Sequence, residues 1–186
     1  MGDPKKQRKS FKRPRLTWST DQLMQELETV GTFGLRNKRE LWKVQSELSR
    51  IRKGARALLA LPTEVRHAKE TELLGSLIRL GLVAEGATLD DVLNLKTEDL
   101  LERRLQSIVM RKKFAKTPNQ ARQMVVHGHI VINDRVINIP GYMVRVDEEK
   151  NVIVRPDSPH VGMISAPPAP EAGEGAGKSA EEKKPA

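Results

Sequence analysis

The sequence predicts an α+β fold: a helical N-terminal and middle region, then two helices followed by a small, largely antiparallel sheet. Apolar residues recur at three- and four-residue spacing through much of residues 37–125, as one buried helix face requires. β-Branched runs separated by short turn segments follow Gly128. The two ends lack any such periodicity. These observations divide the chain into a disordered basic arm at 1–16, a helical domain at 17–102, a second unit at 103–157 and a disordered tail at 158–186.

Charge narrows the function. The 186 residues carry a net charge of +9, with a pI near 9.9. Residues 1–20 hold seven Lys or Arg against one acid, and residues 35–56 hold eight against two. Residues 60–102 reverse this, with four basic and nine acidic side chains. Residues 103–133 carry no acid at all. An excess concentrated in blocks is the footprint of a polyanion-binding surface. With no cysteine, the chain can form neither a disulfide nor a thiolate zinc site, and thiol catalysis is excluded. No apolar run approaches the ~18 residues that a membrane span needs, so no membrane partner is expected. The start, MGDPKKQRKSFKRPRLTW, lacks a secretory signal, and Lys6 breaks the myristoylation pattern. A soluble intracellular protein is expected.

In chain order, Thr20 is placed to cap a short helix through Thr29, ended by Gly31 and Gly34. Asn37 caps the strongest helix, and Glu40 can return a hydrogen bond to it. Leu41, Val44, Leu48, Ile51, Ala55 and Leu58 form its apolar stripe. Arg39, Lys43, Arg50 and Lys53 follow the same spacing on another face, a candidate phosphate-tracking surface. Pro62 closes this helix. Helices at 63–80, stopped by Gly81, and at 89–95, after Thr88, supply core leucines. Thr97 begins the next helix, with Leu101, Leu105, Ile108 and Val109 on its buried side, ending at Phe114 and Ala115.

Thr117, Pro118 and Gln120 then read as a capping box with proline at the first helical position. Gly128 ends that helix. Ile130–Ile132 and Val136–Ile139 form a hairpin, and Met143–Val146 with Asn151–Val154 a second strand pair around Asp147 and Glu148. Arg103 and Arg104 open this wholly basic block. The turn between its two helices gathers Arg111, Lys112, Lys113 and Lys116 beside free backbone N–H groups. Thr117, Asn119, Gln120, Arg122 and Gln123 offer hydrogen bonds to phosphate or ribose. His127 and His129 lack companions for a metal shell, so structural or phosphate-donating roles are expected and no metal is assigned. Trp18, Trp42, Phe33 and Tyr142 are read as packing residues rather than base-stacking platforms. Nothing suggests a nucleotide loop, a cofactor, a catalytic group or an obligate small-molecule ligand.

The run RLQSIVMRKKFAKTPNQARQMVVHGHIVINDRVINIPGYMVR resembles the S-four RNA-binding module. Arg-Leu, Ala-Lys-Thr, Ala-Arg-Gln, His-Gly-His and Asn-Ile-Pro stand in order, and the likeness covers about 103–150. GLRNKRELWKVQSELSRIRKGARALLAL resembles the N-terminal helical part of the small-subunit ribosomal protein S-four family, in its archaeal and eukaryotic branch. Two departures from many relatives are Asn133-Asp134 in place of Asn-Gly and Pro140-Gly141-Tyr142 in place of Pro-Ser-Tyr. The zinc held by N-terminal cysteines in some bacterial relatives has no ligands here.

The resemblance implies a structural constituent of the small ribosomal subunit that binds the 5′ domain of its ribosomal RNA, nucleates assembly of the subunit body and contributes to translational accuracy. Neighbours of the S-five and S-twelve families and a cytoplasmic location follow from it. The alternatives are an RNA-binding module protein outside the ribosome, an enzyme carrying the module, and a helix-turn-helix DNA binder. The pattern also predicts that Leu105→Asp or Val125→Asp unfolds the module, because an unpaired charge would enter its core. Loss of near-ultraviolet circular dichroism is the readout, and an unchanged spectrum would contradict the assignment of these faces.

Overall fold

The computed structural model describes residues 2, 9–16 and 18–159. The chain runs α1 (Thr20–Thr32), α2 (Lys38–Leu59), α3 (Thr63–Leu80), α4 (Leu89–Asn94), α5 (Thr97–Glu102), α6 (Leu105–Arg111) and α7 (Pro118–Val126). It continues as β1 (Ile130–Ile132), β2 (Arg135–Val136), α8 (Val146–Lys150) and β3 (Val152–Val154). The fold is therefore α+β. The tail from His160 onward lies outside the described residues.

Helix α2 is the spine of the first half. The Asn37 side chain accepts from the Glu40 backbone N–H at 3.2 Å, starting the helix as its sequence requires. Leu41, Val44, Leu48, Ala55 and Leu58 are buried against α3, α4 and α5, with Leu77, Leu89, Val92, Leu100 and Leu101 completing this core. The Glu40 carboxylate does not return to Asn37 as expected; it faces two arginines from the second half. Helix α1 runs to Thr32 rather than Thr29, with Ser19 and not Thr20 at the cap position and no side-chain cap bond. Gly31 stays inside the helix, and termination falls to Gly34 at φ +57.

The second half has its own core of Leu105, Ile108, Val109, Ala121, Met124, Val125, Ile130, Ile132, Val144 and Val152. The helix expected to run unbroken from Thr97 through Val109 is interrupted at Arg103–Arg104. Its backbone there pairs with the extended 142–144 segment: Leu105 N–H donates to the Tyr142 carbonyl at 2.8 Å, and Val144 N–H to the Arg103 carbonyl at 3.0 Å. This also overturns the expected second strand pair. Met143 pairs with Arg104, residues 146–150 become α8, and β3 lies antiparallel to β1. The sheet order is β2-β1-β3. Asn133 and Asp134, at φ +47 and +63, make the two-residue turn between β1 and β2, a type I′ geometry that matches strand twist.

Gln106 locks the two halves together. Its buried Nε2 donates toward the carbonyls of Phe33 (3.1 Å), Gly34 (3.0 Å) and Pro118 (2.9 Å). Gly34 fits there because it has no Cβ; one would stand 2.6 Å from Pro118 Cβ. Gly34→Ala combines that clash with left-handed strain and should cost about 2–4 kcal/mol. A lowered urea midpoint at unchanged slope would show it, whereas an unshifted midpoint would mean that the junction yields freely.

Candidate nucleic-acid interface

The α2 spine turns a cationic stripe outward. Arg39, Lys43, Arg50 and Lys53 are all exposed, opposite the buried leucines. Ser46 lies on the same stripe between Lys43 and Arg50, and its Oγ accepts from the Lys12 backbone N–H at 3.0 Å. Beside it the Phe11 ring stacks on Trp42, with centroids 6.0 Å apart. Residues 9–16 have neither helix nor strand, yet Phe11 and the Lys12 backbone lie against α2. The sequence reading missed this docking; the signal was a lone phenylalanine within an otherwise polar arm.

The wholly basic block divides in two. Arg103, Arg104, Lys112 and Arg122, expected to present charge to a ligand, are turned inward to acids and carbonyls of the fold. Arg104 is buried and donates to Glu40 Oε2 at 2.8 Å; Arg122 donates to Glu40 Oε1 at 2.7 Å. Arg103 is buried and meets Glu149 Oε2 at 2.7 Å while also donating to the Val144 carbonyl at 3.1 Å. Arg111, half exposed, reaches the other oxygen of Glu149 at 2.7 Å. Lys112 Nζ donates to the carbonyls of Glu149 and Val152. The two acids were legible only as exceptions: Glu40 is one of two in a strongly basic stretch, and Glu149 lies far along the chain.

The rest of the block stays outward. Lys113, Lys116, Asn119 and Gln123 are exposed around the α6–α7 turn, and no ion pair engages Lys113 or Lys116 among the described residues. Thr117 Oγ1 accepts from Gln120 N–H at 3.2 Å, and Gln120 Oε1 accepts from Lys116 N–H at 2.9 Å, one residue before the expected partner. Lys113 has φ +60. Its N–H donates to the Met110 carbonyl and that of Phe114 to Val109, the pairing that closes α1, α3 and α7 around glycines. Here a long cationic side chain occupies the left-handed position. His127 is exposed and His129 half-buried, with their rings stacked at 6.3 Å. An open cleft of about 360 Å³, lined by Lys43, Arg104 and Arg122 but also by Glu40 and Glu47, lies between α2 and the second half.

Burial raises the pKa of Glu40, but hydrogen bonds from Arg122 and Arg104 and their charges outweigh it and hold the carboxyl below its ordinary value of 4.5. Glu149 is lowered in the same way: burial opposes, and Arg103 and Arg111 prevail. Tyr142 is raised, by burial first and then by its hydrogen bond to Glu148. Because folding favours the ionised glutamates, their stabilisation is complete above the ordinary glutamate value and is lost as pH falls through the lower folded value. Glu40→Gln should lower stability at pH 7 by about 1–3 kcal/mol, discounted for its partial exposure. It should also flatten the acid limb of a melting-temperature–pH profile below about pH 4.5. An acid limb as steep as the wild type's would remove Glu40 from this role.

Two comparisons bear on this arrangement. Residues 5–102 match the ribosomal protein S4/S9 N-terminal domain, and residues 103–150 match the S4 domain. The boundary between them falls at the α5–α6 break. The small ribosomal subunit protein uS4 of Cenarchaeum symbiosum is 59% identical over 152 residues, covering 82% of this chain and 74% of its own. The protein of the same name from Hyperthermus butylicus is 54% identical over 160 residues, covering 86% of this chain and 91% of its own. That from Ignicoccus hospitalis is 52% identical, covering 86% and 96%. A helical half and an RNA-binding-type module joined as these matches require place the chain in the small-subunit ribosomal protein S4 family.

Proposed function

We propose that this chain is a structural constituent of the small ribosomal subunit and binds small-subunit ribosomal RNA directly. One observation carries the mechanism. Two outward cationic surfaces, the α2 stripe with its docked arm and the α6–α7 turn, are held in fixed relation by Glu40 and Gln106. Folded RNA presents dense phosphate at set geometry, so a rigid pair of such surfaces recognises shape without reading bases.

The contact residues on this reading are Arg39, Lys43, Arg50 and Lys53 on α2, and Lys113, Lys116, Asn119 and Gln123 at the turn. His127 and the outer edge of Arg111 flank them. Arg103, Arg104, Lys112 and Arg122 act by holding the scaffold. We infer further that the RNA is the 5′ domain, that S-five and S-twelve family proteins are neighbours, and that binding nucleates the subunit body and influences decoding accuracy in the cytoplasm. The family is one of structural proteins, and the chain acts by binding rather than by catalysis. No described helix is long and apolar enough to cross a membrane.

Filter binding of a 5′-domain RNA fragment across salt concentrations tests the assignment. Lys113→Ala with Lys116→Ala should weaken affinity and lower the salt slope by about 0.7–0.9 for each phosphate no longer neutralised. An unchanged slope would remove the turn from the interface, and stronger binding to duplex DNA than to the RNA would favour a helix-turn-helix DNA binder instead.

A further inference from the structure

One surface of this basic protein is acidic and apolar together. Helix α1 carries Asp21, Glu26 and Glu28 and no Lys or Arg. Glu26 is used internally, by Lys38 at 3.1 Å and by the Trp42 indole at 3.1 Å. Asp21 and Glu28 are exposed, and across a cleft of about 960 Å³ they face Glu98 and Glu102 of α5, both exposed. Among the described residues, no Lys, Arg or His lines that cleft. Thr20, Met24, Leu27 and Gly31 follow three- and four-residue spacing along the outer side of α1. Met24 is 70% exposed and Leu27 56%, with Leu16 at 72% and Trp18 at 87% just before the helix.

We propose that the outer face of α1, with the acidic cleft beside it, docks a basic segment of a neighbouring protein that also carries apolar side chains. Charge complementarity selects that occupant. A phosphate backbone would meet four solvent-facing carboxylates, and like charges so placed oppose association. A second copy of this face would bring the same sign against itself. Lys and Arg side chains suit the cleft, while an apolar residue covers Met24 and Leu27 and removes their area from water. The chain thus presents RNA-directed and protein-directed faces of opposite charge. The inference rests on the ribosomal reading above only in where the partner is sought.

A benzophenone amino acid placed at Met24, and in a separate chain at Lys53, would be irradiated in assembled small subunits. Position 53 should mark ribosomal RNA, and position 24 should mark a Lys/Arg-rich stretch of a protein. Adding Glu28→Lys and Glu98→Lys should lower the position-24 yield about five- to tenfold, as the loss of two exposed ion pairs implies, and leave position 53 unchanged. Crosslinking of position 24 to RNA, to another copy of the chain or to nothing, with position 53 marking RNA, would overturn the proposal. So would a yield that ignores the charge reversals. A silent position 53 counts against the RNA reading of α2, and the result at position 24 then stands by itself.

Discussion

Glu40 stands where two hydrophobic cores meet, and the geometry of the molecule depends on what surrounds it. Each half has its own core; Met143 and Val146 pack against the first half, and the Glu40 carboxylate adds a directional polar contact to that seam. The carboxylate does so by accepting Arg122 on one oxygen and Arg104, with a second Arg122 hydrogen bond, on the other. Taking three charges partly out of water is costly, and the forked geometry of the guanidinium is what offsets it. Gln106 adds direction without charge: an amide among three backbone carbonyls tolerates little rotation.

The consequence is a division of labour that net charge conceals. Cations adjacent in sequence serve different ends. Arg111 and Lys112 lean on Glu149 and its neighbours, whereas Lys113 and Lys116 remain in water. The inward set gives the surface its shape, and the outward set gives it its field. A surface meant to match folded RNA needs both, because a cationic patch on a yielding frame attracts polyanions without discriminating among them. The arm meets the same helix, since Phe11 stacks on Trp42 and the Lys12 N–H donates to Ser46 Oγ.

How much of this was legible follows from the range of the forces involved. The Asn37 cap, the α2 apolar stripe and the Thr117 cap are set by neighbours a few residues apart and stand where the sequence places them, whereas the hairpin forms with Arg135–Val136 as its second strand in place of Val136–Ile139. The break at Arg103–Arg104 was not legible, because periodicity continues across it; the backbone there is taken by a segment about forty residues later. The second strand pair failed for the same reason, with 142–144 engaged at the break and α8 filling the gap. At the site, residue type marked the cationic surfaces correctly as basic but could not sort their members. That sorting depends on Glu40 and Glu149, whose partners lie 38 to 82 positions away along the chain.

Lys113 closes its helix in a backbone conformation that three other helices of this chain give to glycine. An L side chain held there bears a local penalty of order 1 kcal/mol. The isolated polypeptide therefore carries a small internal load at the very point where it extends a charge into solvent. Any ligand that binds this turn only when it is folded would add its binding free energy to the turn's stability and offset that load.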